Sequence, residues 1–223
     1  MSLTTKSRLI VLHLTKYSDS SAVMHAVDSV GGRKSFLVRG LGKKRSNAEF
    51  HPLNILDAVS AESPKSSLAV LREWESVTSL ENIRSDIFKS SQALFISEVL
   101  YRSLRTEETQ GGFFEWLCAA IASLETAEGT VANFHLWFLV SYIVRLGFRP
   151  DSATGPEPHG IFCDRDAELL FKIMQSSTEE ILAMPLSGRR RQEFAQTALK
   201  YLSYHIGAEI NSRSLPVLHE LFQ

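Results

Sequence analysis

The sequence predicts a two-domain α+β protein, with a small β-barrel or sandwich over residues 1–80 and a helical domain over 81–223. Three observations predict it. The first 80 residues hold five short β-capable runs with turn signals about every 8–12 residues. From Asn82 the apolar residues recur at helical spacing instead. The charge also divides: residues 1–50 carry nine Lys/Arg and three Asp/Glu, a net of +6, and the remainder carries 15 and 22, a net of −7. Charge separated in this way suggests a polyanion-binding end and a partner domain with another task.

Arg8–Leu14 (RLIVLHL) is apolar and β-branched and predicts the first strand. The polar turn Lys16–Ser21 leads to a second at Ala22–Asp28, and Lys34–Arg39, Leu53–Val59 and Leu68–Val77 follow, separated by Lys43–Pro52 and Ala61–Ser67. Strands this short with such turns suit an antiparallel barrel or sandwich. Ile83 to Leu104, then Phe113–Leu124, then the aromatic Val131–Leu146 predict helices apolar enough to form a bundle centre. Gly147 is the expected C-cap of the third, with Pro150 just beyond. Residues 149–162 are Pro- and Gly-rich. Short helices are expected at Asp166–Gln175 and Thr178–Met184, a long one at Gly188–Ile210, and a closing one at Ser214–Phe222.

The stretch Gly31–Asn47 places Arg33, Lys34, Arg39, Lys43, Lys44 and Arg45 around the apolar run Phe36-Leu37-Val38, with glycines on both sides. Cations spaced along a strand and the following loop fit a ribbon of phosphates better than one small anion. The plain alternative is a solvated strand face and a charged loop. Tyr17, Phe36 and Phe50 are candidate stacking platforms; Tyr17, in a polar turn, is the better placed, because Phe36 sits in an apolar run that suits the core. About five phosphate contacts to a single strand would give a salt slope of roughly −3 to −4. Arg189, Arg190 and Arg191 open a helix, where the macrodipole disfavours cations. They read either as a tolerated wet surface or as a candidate second DNA contact.

Two cysteines, Cys118 and Cys163, allow no disulfide framework and no four-thiolate zinc site, which fits a reducing cytoplasm. His159 lies four residues before Cys163, but one pair cannot close a tetrahedral site, so no metal is expected. Lys6 and Arg8 interrupt any signal-peptide core, and Val131–Leu146 is too short and too polar for a membrane span. No Walker, GxGxxG, HExxH or GxSxG pattern occurs, and the acid pairs Glu73/Glu75, Glu107-Glu108 and Glu179-Glu180 lie in polar stretches. A non-enzymatic nucleic-acid-binding module is the leading expectation. A scaffold whose basic barrel binds an acidic protein partner is the alternative.

Several segments, in order, resemble the RecO family of bacterial recombination mediators over essentially the full chain. They are Arg8–Leu14 with Tyr17–Ser20, Gly31-Gly32-Arg33, Val38–Lys44, Phe50-His51-Pro52-Leu53, Leu146–Pro150, Tyr204–Gly207 and Asn211–Leu215. The resemblance implies an oligonucleotide-binding (OB) barrel followed by a helical domain. It implies binding of single- and double-stranded DNA and strand annealing without catalysis or cofactor, in recombinational repair of DNA damage. It further implies partnership with RecR and with the C-terminal tail of single-strand-binding protein, indirectly with RecA, in a bacterial cytoplasm at the nucleoid. On such a barrel Arg39, Lys43, Lys44 and Arg45 would hold the backbone, with Arg33 and Lys34 nearby and little sequence preference. Many family members carry two CxxC pairs after the equivalent of Pro150. Here only Cys163 remains, so 149–165 is expected to be a zinc-free version of that knuckle.

Overall fold

The computed structural model describes residues 3–30, 32–41, 47–63, 66–105, 111–150 and 161–223. Lys43, Lys44, Arg45, Glu107, Glu108, His159 and most of the 149–165 segment lie outside the described residues. The chain divides into two compact units, Met1–Glu81 with Leu100–Ile121, and Asn82–Val99 with Ala122–Gln223. Where the sequence suggests one break near Leu80, the chain thus crosses between units more than once.

The first unit is built on strands β1 (Leu3–Ser18), β2 (Ser21–Asp28), β3 (Arg33–Arg39), β4 (Ile55–Ser63) and β5 (Ser66–Ser76). They close into a barrel in the order β1-β2-β3-β5-β4. All pairings are antiparallel except β3 with β5, where Phe36 faces Ala69 and Leu37 faces Val70 in parallel. This is the five-stranded Greek-key arrangement of an OB-fold. The sequence pattern left barrel and sandwich open; the parallel β3–β5 seam is what closes the sheet.

β1 is longer than expected. Its first half pairs with β4 from Leu3↔Glu62 to Ile10↔Ile55, and its second half pairs with β2 from Leu9↔Asp28 to Ser18↔Ser21. The polar ends of the strand therefore join the sheet through backbone hydrogen bonds, which need no apolar side chain. A register shift between Val11 and His13 lets one strand serve both neighbours. Inside, Leu9, Val11, Met24, Phe36, Val38, Leu56 and Leu71 form a continuous buried core.

The second unit contains α1 (Glu81–Ser85) from Asn82 onward, the N-terminal part of α2 (Ile87–Ser103), the end of α3 (Phe113–Thr126), and α4 (Phe134–Arg145), α5 (Asp164–Gln175), α6 (Thr178–Leu182), α7 (Gly188–Ile206) and α8 (Leu215–Leu221). α4 is central and packs on α5, α6 and α7. Asn133, fully buried ahead of α4, donates from Nδ2 to the carbonyls of Ile181 and Met184, both at 2.8 Å, and so fixes the end of α6. Complete burial pushes His135 down to about 3, so it is neutral in the core. α7 stops at Ile206, four residues short of expectation. Gly207 turns left-handed there (φ +67°), and Ala208 donates back to the Ser203 carbonyl at 3.2 Å, closing the helix. No described helix is long and apolar enough to cross a membrane.

Candidate nucleic-acid interface

Strand alternation decides where the cations of β3 go. Phe36 and Val38 point into the barrel, so Arg33, Ser35, Leu37 and Arg39 take the outer face and Lys34 takes the inner parity. The row of cations read from the sequence is therefore not one row. Lys34 pairs with the buried carboxylate of Asp28 at 2.9 Å, at the edge of the barrel. Arg33 donates from Nη1 to the Tyr101 carbonyl, and its guanidinium lies 5.2 Å from the centre of the Tyr101 ring. Both side chains are engaged within the first unit.

The opposite end of β3 is different. Arg39 is exposed and faces Ser21 across the β2–β3 ladder. The chain then turns at Gly40 in the left-handed region (φ +80°), and the Gly40 and Leu41 amides donate to the Ser20 carbonyl at 2.8 and 3.1 Å. Those bonds tie Leu41 to the β1–β2 turn, which is shorter than the expected Lys16–Ser21: Lys16, paired with Asp19 at 3.3 Å, and Tyr17 belong to the end of β1 just before it. Tyr17 is 73% exposed. The two remaining stacking candidates, Phe36 and Phe50, are core residues; Phe50 packs 5.2 Å from Trp74. From Phe50 onward the chain is held again. Leu53 is buried at a positive φ of 65° and donates to the Val11 carbonyl at 2.8 Å, while Asn54 Nδ2 donates to the Glu49 carbonyl and to Ser76 Oγ. The segment that contains Lys43, Lys44 and Arg45 is thus anchored at both ends to the barrel.

The arginines that open α7 each reach a partner. Arg189 pairs with Glu193 one turn on, at 2.8 Å and largely exposed. Arg190 forms an ion pair with Asp166 in which both side chains are about nine-tenths buried, and also donates to the Arg165 carbonyl at 3.0 Å. Arg191 donates to the carbonyls of Leu186 and Phe222. Ser187 caps the helix through the Arg190 amide at 3.2 Å. The unfavourable placement at the positive end of the helix is offset by these contacts.

Among the described residues no group of three or more His, Cys, Asp or Glu side chains could hold a metal ion. Cys163 is exposed, just ahead of α5. The chain entering and leaving the 149–160 region is instead held by aromatic packing on α7. Phe148 stacks on His205 at 4.9 Å, and Tyr201 packs on His205 at 4.4 Å and donates its hydroxyl to the Phe148 carbonyl at 2.9 Å. Phe162, 1% exposed, lies 5.1 Å from Tyr201.

A cleft of about 980 Å³ opens on the first unit, lined among others by Lys6, Arg8, Asp57, Glu73, Glu75 and Glu115. Arg8 is bound there by Asp57 at 2.8 and 3.2 Å, which holds the carboxyl below its ordinary range. Four carboxylates against two cations make this cleft unsuited to a polyanion.

A closed OB barrel with an exposed tyrosine and arginine beside the β1–β2 turn, joined to a helical unit, defines an OB-barrel protein with an α-helical extension. The family model "Recombination protein O C terminal" matches residues 84–155. A relative from Flavobacterium psychrophilum named "DNA repair protein RecO" is 30% identical over 97% of this chain and 98% of its own length. One from Bacteroides fragilis with the same name is 31% identical over 96% and 97%. The chain belongs to the RecO family.

Proposed function

We propose that this protein is a non-catalytic DNA-binding mediator of recombinational DNA repair, which binds and anneals single strands and also binds double-stranded DNA. The observation that carries the reading is the barrel mouth. Arg39 is exposed at the end of β3 opposite Ser21, where the Gly40 and Leu41 amides hold the Ser20 carbonyl, and Tyr17 is exposed on β1 just before the same turn. Family membership and the relatives' printed role in DNA repair support it. In this reading Arg39, Lys43, Lys44 and Arg45 neutralise phosphates and Tyr17 stacks on a base, while Arg33 and Lys34 brace the barrel. Contacts to the backbone leave base edges free, so two coated strands can approach and pair. The variant K43A/K44A/R45A should bind a labelled oligothymidine about 10- to 100-fold more weakly by fluorescence anisotropy, with an unchanged melting temperature. A folded triple variant with wild-type affinity would refute the assignment.

The finer partners belong to the same proposal: RecR, the acidic, apolar C-terminal tail of single-strand-binding protein, and through them RecA. A tail of that chemistry needs apolar walls and a cation for its carboxylate. The second unit offers a groove of about 470 Å³ walled by Leu169, Met184, Pro185 and Leu186 and flanked by Arg165 and Lys172. Lys172→Ala should weaken a synthetic acidic tail peptide about five- to tenfold and leave oligothymidine binding unaltered. Amidating the peptide's C-terminus should produce a similar loss; equal binding of all three pairs would exclude this groove.

A further inference from the structure

The outer face of β1, β2 and β3 carries a set of side chains that the proposed contacts of Lys43, Lys44 and Arg45 do not explain. His13 and His25 are cross-strand partners in the β1–β2 ladder, with their rings stacked at 6.1 Å and 18°. Tyr101 packs against both, at 5.1 and 4.9 Å between ring centres. From β3, Ser35 Oγ lies 2.8 Å from His25 Nδ1, and Arg33 sits over Tyr101. The charged groups that act on His25 are His13 of β1 and Arg33 of β3, both of cationic type; Ser35 and Tyr101 are neutral. Burial above all, and then these two groups, push its imidazole below the ordinary value of 6.5. His13 itself is exposed.

Ser35 and Arg39 share the outer face of β3, four residues and about 13 Å apart along the strand. The histidine pair therefore lies on the surface that begins at the barrel mouth. In an OB-fold this β2–β3 face is where an oligonucleotide runs.

We propose that His13 and His25 form a phosphate contact that takes up a proton from solvent when a polynucleotide strand crosses this face, an inference that rests on the DNA-binding reading above. Protonating an imidazole beside a second histidine and an arginine is costly without a counter-charge. A phosphodiester supplies that counter-charge, so the bound state holds the proton more tightly than the free state. By linkage, affinity must then rise as pH falls. The contact is to phosphate and carries no base preference.

The experiment is anisotropy with a labelled oligothymidine at constant ionic strength, at pH 6.0 and pH 8.0. The wild-type protein should bind about five- to tenfold tighter at pH 6.0. H13Q/H25Q should show less than about a twofold difference between the two pH values. H13Q alone, at an exposed position, serves if the double variant unfolds and should lose most of the dependence. K43A/K44A/R45A should bind weakly at both pH values yet keep the wild-type ratio. Equal wild-type affinity at both pH values, or an undiminished ratio in the histidine variants, overturns this inference and leaves the DNA-binding reading standing. No binding by the wild type at either pH removes both.

Discussion

Arg190→Ala is expected to destabilise the protein by about 3–5 kcal/mol, the usual cost of removing one partner from a buried ion pair. The side chains of Arg190 and Asp166 are 11% and 10% exposed, so the carboxylate left behind cannot recover its hydration. Among the described residues, Thr197 Oγ1, at 3.1 Å, would still donate to it. The variant also loses the bond to the Arg165 carbonyl and the guanidinium packing 6.0 Å from the centre of the Phe194 ring. For a chain of this size the change corresponds to a fall in melting temperature of about 10 °C. The double variant D166N/R190A should recover part of the loss, because it removes the stranded charge. Melting curves of the two variants check this, and a loss below about 1 kcal/mol in Arg190→Ala would mean that the pair is a surface contact.

Glu98→Ala is the second large effect. The Glu98 carboxylate accepts from the amides of Arg213 and Ser214 at 2.9–3.0 Å and from the hydroxyls of Ser212 and Ser214 at 2.9 and 2.5 Å. Burial opposes the charge, but these donors outweigh it and hold the carboxyl down at about 2, against an ordinary 4.5. The folded state therefore binds this proton less readily than the unfolded state. The stabilisation is complete above pH 4.5 and is lost as pH falls from there towards 2. Removing the side chain should cost about 1–3 kcal/mol at pH 7, because the turn that starts α8 loses its acceptor. Wild type and Glu98→Ala should converge in melting temperature as pH is lowered from 5 towards 2. A gap that stays constant across that range would show that the charge is not what holds the turn.

The fold was readable where local chemistry is decisive. The β-branched run Arg8–Leu14, the alternation around Phe36 and Val38, and the aromatic run of α4 each have one plausible home. The same alternation already separates Lys34 from Arg39, because Phe36 and Val38 must face the core; counting charges along the stretch hides it. Gly207 was likewise in plain view as a stop for α7. What could not be read are relations across the chain. Glu98 finds its donors 114–116 residues away, with no local signal. Arg190 and Arg191 look like an ill-placed charge run until Asp166 and the Leu186 and Phe222 carbonyls come into position. His13 and His25 become a pair only through the β1–β2 register. At the candidate interface, Tyr17 and Arg39 are exposed, whereas the contacts of Arg33 with Tyr101 and of Lys34 with Asp28 at the far end of β3 could not be read from the sequence.

The central claim is the proposal that Arg39, Lys43, Lys44 and Arg45 hold a phosphate backbone. It is tested most directly by the salt dependence of wild-type affinity for an oligothymidine, measured between about 50 and 200 mM salt. Contacts from Arg39, Lys43, Lys44 and Arg45, at about −0.7 each, predict a log–log slope near −3. A slope near zero, or no binding at the lowest salt, would contradict the account.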